Sequence, residues 1–216
     1  MALLRAEPPN TLFRIGRAPE PVAWPSWEHA GRSRFDDPRH PPRFRVMYAA
    51  ETIHGCFLET LAPWRLRVSA LVSVASLPDG DIGVPQAPPS AGEIPADWHE
   101  QRLIGTFRLG LGQDWLDLRR LETRETLRRP LAPLLDRLGL EDFDLGDSVS
   151  RIRLLTQQIA VLAKEAGFQG IVYHSRFDAS VSCWAIFEGA TLERGEVRPV
   201  AVDDPDFLIV AGLFGL

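Results

Sequence analysis

Phe44-Arg45-Val46-Met47-Tyr48-Ala49-Ala50-Glu51-Thr52-Ile53-His54-Gly55-Cys56-Phe57-Leu58-Glu59-Thr60-Leu61 carries two periodicities in succession. Over residues 43–50, Phe44, Val46 and Tyr48 alternate with Arg45, Met47 and Ala49, which predicts a strand. Over residues 51–61, Ile53, Phe57, Leu58 and Leu61 fit one helical face, and Pro63 stops the helix. Upstream, residues 12–16 read as a short strand and residues 19–42 as a loop rich in Trp and Pro. Downstream, the Val-rich residues 67–77 read as a strand, and residues 78–95 as a long surface loop or an insertion. Residues 103–109 form another strand candidate. Residues 122–138 read as a helix that ends at Gly139 and is interrupted or kinked near Pro130 and Pro133.

The clearest helix covers residues 149–166, where Ile152, Leu155, Ile159 and Leu162 share a stripe and Gly167 is a natural C-cap. Three strand-like runs follow, at 170–174, 181–187 and 196–202, and the apolar residues 207–216 read as a final buried strand or packed tail. Strands at both ends with helices between them give an α+β pattern rather than a regular βαβ repeat. The expectation is a single compact domain over residues 1–216, with a mixed β-sheet core and flanking helices.

Composition narrows the function. The chain has 216 residues, 45% hydrophobic and 25% charged, as in a soluble globular protein. Its formal net charge of -5 argues against a direct nucleic-acid binder, which usually shows a basic face. Arginine greatly outnumbers lysine, and its planar fork is the better grip for phosphate. Cys56 and Cys183 share no metal-ligand spacing and read as buried, reduced thiols. Residues 1–10 lack the apolar run of a signal peptide, and residues 207–216 are about half the ~20 needed to span a membrane. A cytoplasmic protein with no membrane association is expected. There is no Walker or Rossmann glycine loop, since Gly110 and Gly112 lack the third glycine and the strand-turn-helix context. Nor is there a nucleophile elbow, an HExxH helix or a paired-cysteine zinc pattern, so no metal is expected.

Four segments carry the chemistry. They are Gly31-Arg32-Ser33-Arg34-Phe35-Asp36-Asp37-Pro38, Phe44 to Ala50, Gly55-Cys56-Phe57-Leu58-Glu59-Thr60-Leu61, and Gly170-Ile171-Val172-Tyr173-His174-Ser175-Arg176. In order they place Arg34 in a loop, Tyr48 in a strand, Glu59 in the next helix and Ser175 at the end of a late strand. Taken singly, each has an ordinary structural reading. Arg34 pairs with Asp36 or Asp37 at the surface, Tyr48 packs in the core, Glu59 faces solvent, and Ser175 caps a strand end.

Taken together, the segments resemble the RES domain family, named for an Arg, a Glu and a Ser. The Leu155-Thr156-Gln157 helix and the Ser182-Cys183-Trp184-Ala185 strand resemble it too. The resemblance covers residues 13–188, with the 78–95 stretch as extra material. It implies an ADP-ribosyltransferase-like fold and an enzyme that consumes NAD⁺ as its substrate, without a metal. It assigns catalysis to Arg34, Tyr48, Glu59 and Ser175, of which Arg34, Tyr48 and Ser175 also bind NAD⁺. The physics agrees. An Arg fork holds pyrophosphate oxygens, a Tyr face stacks on the cationic nicotinamide, and a carboxylate stabilises an oxocarbenium-like sugar. Ser175 positions the ribose or the nicotinamide amide. ADP-ribose then passes to water, to phosphate or to a protein acceptor. The resemblance also implies a toxin held by an Xre-type helix-turn-helix antitoxin. Two other readings stay open. His54 and His174 with an Arg could form a metal-independent ribonuclease site, and the chain could be a non-catalytic module that only binds a partner.

Overall fold

The computed structural model describes residues 3–66, 92–150 and 152–216. The strand expected over residues 67–77, and residues 78–91 of the expected loop, lie outside the described residues. Seven strands are described: β1 (Leu12–Arg17), β2 (Val46–Ala50), β3 (Arg102–Leu109), β4 (Trp115–Asp117), β5 (Gly170–His174), β6 (Ser182–Phe187) and β7 (Leu192–Pro199). They form one sheet in the order β4-β5-β6-β2-β1-β3-β7. Only β4 and β5 pair in parallel; every other neighbouring pair is antiparallel, so the sheet is mixed. The described helices are α1 (Ile53–Leu61), α2 (Leu121–Arg137), α3 (Leu145–Ser148), α4 (Arg153–Glu165) and α5 (Pro205–Phe214).

Alternation along the central strands sorts the core into two layers. Val46 and Ala50 of β2, Ile171 and Tyr173 of β5, and Cys183, Ala185 and Phe187 of β6 pack with α1, α2, α4 and α5. Met47 and Ala49, Val172, and Trp184 and Ile186 pack in a second layer with Ala6, Leu12 and Val22. The α1 helix is capped by Thr52, whose Oγ1 accepts the Gly55 N–H at 3.0 Å. Gly55 lets this helix lie tight on the sheet, because a Cβ there would sit 2.6 Å from Val181 Cγ1. The expected β-α unit of residues 43–61 is therefore present, with the strand starting three residues later.

Several expectations are corrected. Of the two readings of the apolar tail, the packed tail holds and the strand does not: it is the helix α5, which Asp204 caps, Pro205 opens and Gly215 closes at a φ of 71°. The helix expected over residues 149–166 starts only at Arg153, because residues 145–148 form the separate turn α3, held by a reciprocal Asp144–Asp147 capping box. α2 runs through Pro130 and Pro133 without a break, with both prolines on its exposed side. The last strand is shifted, spanning Leu192–Pro199 instead of residues 196–202, and β4 was not foreseen.

Candidate active site

A cavity of about 740 Å³ opens where α1, the 31–34 loop, the first residue of α4 and the ends of β2 and β5 meet. On α1, Gly55, Cys56, Glu59 and Thr60 share the stripe that faces the cavity, while Phe57, Leu58 and Leu61 are buried in the core. Helical period alone thus puts Glu59 into the cavity although apolar residues flank it in sequence. Its Oε1 accepts the Ser175 hydroxyl at 2.7 Å. Ser175 is buried, and its Oγ also accepts the Phe177 N–H at 3.2 Å, while its own N–H pairs with Val181 O at 2.8 Å. The strand-end turn and the carboxylate contact are one structure: the turn aims the hydroxyl at Glu59.

Arg34 reaches the same cavity from a loop that is clamped from both sides. Asp36 is buried; its Oδ2 accepts the N–H groups of Arg32 and Ser33 at 3.0 and 2.8 Å. Its Oδ1 accepts the Tyr48 hydroxyl at 2.9 Å, and that hydroxyl accepts the Phe35 N–H at 2.9 Å. From the other side, Thr156 Oγ1 donates to Arg34 O at 2.6 Å, and Gln157 Nε2 donates to Gly31 O and Ser33 O at 3.0 and 3.1 Å. The Arg34 guanidinium itself touches Ser150 O at 3.4 Å and lies 5.9 Å above the Tyr173 ring. Arg34 is therefore not the surface partner of Asp36 or Asp37. Asp36 holds the loop's backbone and Tyr48, and Asp37 holds Arg39 and the Arg43 N–H.

Of the four residues named from the sequence, Arg34, Tyr48 and Glu59 line this cavity and Ser175 reaches it only through its bond to Glu59, while Tyr48 takes part in an unexpected way. It lines the cavity, but its hydroxyl is committed to Asp36 and the Phe35 amide. Burial, then the Asp36 charge, push its hydroxyl pKa well above the ordinary tyrosine value. A second tyrosine, Tyr173, also lines the cavity. It shares a β5 face with Ile171 and Ser175, and that alternation was the signal for it.

Sequence reading also missed Arg14. It lines the cavity, donates a long 3.4 Å bond to Tyr48 O, and leaves its Nε buried without a partner. Burial lowers its pKa to about 10. Arg32, Arg153 and Arg176 bring the lining arginines to five, and Glu59 is the one carboxylate facing them among the described residues. Arginine forks are suited to phosphate oxygens, and a lone carboxylate among them is suited to a developing cation.

Neither His54 nor His174 lines the cavity. His54 faces Asp206 at 3.7 Å, and burial, then Arg119, hold the His174 pKa below the usual histidine value. Glu51, the nearest other carboxylate in sequence, accepts Trp184 Nε1 at 3.0 Å and does not line the cavity either. Among the described residues no group of three or more His, Cys, Asp or Glu is placed to share a metal ion.

No curated protein matches the chain significantly. Among solved structures, a chain from the crystal structure of the M. tuberculosis MbcT–MbcA toxin–antitoxin complex is similar in fold. The TM-score is 0.57 at 14% identity, over 98% of this chain and 91% of that one. The family model described as the RES domain matches residues 11–208, a span that contains every cavity-lining residue named above. The chain belongs to the RES domain family.

Proposed function

We propose that the cavity binds NAD⁺ and breaks the bond between nicotinamide and the ribose. The observation that carries this reading is a carboxylate, Glu59, held by a 2.7 Å bond from Ser175 in a cavity whose other charged lining residues, among the described residues, are all arginines. Arg14 and Arg34 hold the pyrophosphate, which gives the unpartnered Arg14 Nε the acceptor it lacks. The C1′–N bond electrons leave with nicotinamide, and Glu59 stabilises the positive charge that grows on the ribose. An oxygen of water, phosphate or a protein side chain then bonds to C1′ and gives up its proton. The Tyr48 hydroxyl is committed to the 31–36 loop, so Tyr48 serves the site by holding the loop that carries Arg34.

Membership of the RES domain family and the likeness to a chain from a toxin–antitoxin complex support a further part of the reading. The chain acts as a cytoplasmic toxin, and an Xre-type helix-turn-helix antitoxin covers the cavity mouth. The test of the chemistry is chromatography of NAD⁺ incubated with the purified chain, with and without inorganic phosphate. Nicotinamide release is expected, and Glu59→Gln is expected to lower kcat about 100- to 1000-fold with little change in KM. The swap removes the charge but keeps an oxygen for Ser175. Folded wild-type chain that releases no nicotinamide under either condition overturns hydrolysis and phosphorolysis. Near-normal turnover by Glu59→Gln overturns the role of Glu59.

A further inference from the structure

The Ser175–Glu59 contact joins two elements, and both are tied to Ser182. Ser175 follows His174, the last residue of β5, and His174 is paired in register with Ser182, the first residue of β6. The Ser182 carbonyl accepts the Glu51 N–H at 3.2 Å, just before Thr52 caps α1, the helix that carries Glu59. Val181, the neighbour of Ser182, accepts the Ser175 N–H at 2.8 Å through its carbonyl, and its Cγ1 packs against Gly55 of α1. Where Ser182 stands therefore sets where both partners of the contact stand.

Arg119 fixes Ser182 from the other face of the sheet. Along β6, Trp184 and Ile186 alternate with Cys183 and Ala185, and Ser182 shares the face of Trp184, away from α1. There Arg119 Nη1 donates to Ser182 Oγ at 2.7 Å. Its Nε and Nη2 grip both oxygens of Asp117, buried at the end of β4, at 2.8 and 2.9 Å. Nη1 also lies 3.8 Å from Glu51 Oε1, which accepts Trp184 Nε1 at 3.0 Å. The Arg119 carbonyl is held in turn by Nη1 of buried Arg124 at 2.6 Å. One planar fork thus ties the ends of β4 and β6 to the residue that leads into α1, which a point-like ammonium cannot do. Glu51, Asp117, Arg119 and Ser182 all stand outside the cavity lining.

We propose that Arg119 is a positioning residue for the Ser175–Glu59 pair, acting through Ser182 from the far face of the sheet. The inference rests on the reading of Glu59 as the group that meets the charge growing on the ribose. A carboxylate serves a developing charge only if its place is set before the reaction, and a misplacement of about 1 Å costs up to roughly 100-fold in rate. Arg14 and Arg34, which hold the pyrophosphate in that reading, stand on β1 and the 31–34 loop, elements that the bonds of Arg119 do not reach. Loss of the fork therefore falls on turnover and spares ligand binding.

Arg119→Lys keeps the charge opposite Asp117 but loses the fork, and Ser182→Ala removes one acceptor of that fork. Arg119→Lys is expected to lower kcat for nicotinamide release about tenfold and Ser182→Ala roughly fivefold, with KM and the calorimetric affinity for ADP-ribose held within about twofold. In a Ser175→Ala background either substitution is expected to cost less than about twofold, because the contact it positions is already gone. Hydrogen exchange at the Ser175 and Phe177 amides is expected to speed up in both variants, a readout that needs no turnover. A loss of equal size with and without the Ser175 hydroxyl overturns the proposal. So does a lower melting temperature with unchanged kcat, which leaves Arg119 a support of the sheet alone, and so does ADP-ribose affinity that weakens in step with kcat. If Arg119→Lys does not fold, Ser182→Ala carries the same cycle. Wild-type chain that releases no nicotinamide overturns the NAD⁺ reading, and amide exchange then decides whether Arg119 holds the turn; unchanged exchange overturns this inference alone.

Discussion

At the scale of single residues, Tyr48 separates two roles that give the same sequence signature. A tyrosine that stacks on nicotinamide works through its ring, and a tyrosine that ties down a loop works through its hydroxyl. The Tyr48 hydroxyl joins Asp36 Oδ1 and the Phe35 amide, both at 2.9 Å. Tyr48→Phe keeps the ring and deletes that junction, leaving the Phe35 N–H and one Asp36 oxygen without their partner. The expected outcome is a loss of about 1–3 kcal/mol of stability and a KM for NAD⁺ raised severalfold, with kcat less affected. Thermal melting and steady-state kinetics check it, and an unchanged KM would return Tyr48 to a stacking role. The positions of Arg34, Tyr48, Glu59 and Ser175 were legible because each falls in a short motif with a fixed order along the chain. The hydroxyl's direction was not, because Asp36 comes to it through the fold of a loop that has no period to read. Arg14 was illegible for a related reason. One of two arginines in a six-residue strand, Arg14 reads as an ordinary polar position until the cavity beside it is known.

At the scale of elements, α4 does more than cover the sheet. Its buried Thr156 and Gln157 grip three carbonyls of the 31–34 loop, so one helix sets where Arg34 stands. Thr156→Val keeps the shape and removes the 2.6 Å bond to Arg34 O. The cost of leaving that carbonyl unpaired is about 1–3 kcal/mol. For a chain this long, each kcal/mol corresponds to a melting shift of roughly 2–4 °C. KM for NAD⁺ is expected to rise with kcat largely held, since the carboxylate on α1 is untouched. A lower melting temperature with normal KM would make Thr156 a stability residue only. The stripe of this helix was plain in the sequence, but its start was not, because the Asp144–Asp147 capping box begins a separate turn first. The helical form of α5 was not legible because a short apolar run has no period to tell helix from strand. Asp204 and Pro205 were the cap and first-turn signals that identify it. β4, three residues long, is defined by its parallel pairing with β5, a contact made across some fifty residues of chain.

At the scale of the whole molecule, charge is unevenly placed. A chain with a formal net charge of -5 gathers five arginines around one cavity, so the rest of its surface is more acidic than the total suggests. Such a cavity draws anionic ligands in and is closed most simply by a partner that presents an acidic or phosphate-like group at its mouth. An unrestrained NAD⁺-cleaving enzyme depletes a cofactor that every cell needs, which is the physical reason to expect a cognate inhibitor. Expression of the chain alone is therefore expected to lower cellular NAD⁺ and arrest growth. Glu59→Gln, which keeps the fold and the arginines, is expected to do neither at equal soluble level. The comparison isolates chemistry from the burden of expression, because the two chains differ by one carboxylate oxygen exchanged for an amide nitrogen. Paired measurements of growth and extracted NAD⁺ decide it. Growth arrest with the Glu59→Gln chain would show that toxicity comes from binding rather than cleavage. Normal growth and normal NAD⁺ with abundant soluble wild-type chain would overturn the toxin reading, while leaving the cavity and its nicotinamide-release assay to stand or fall on their own.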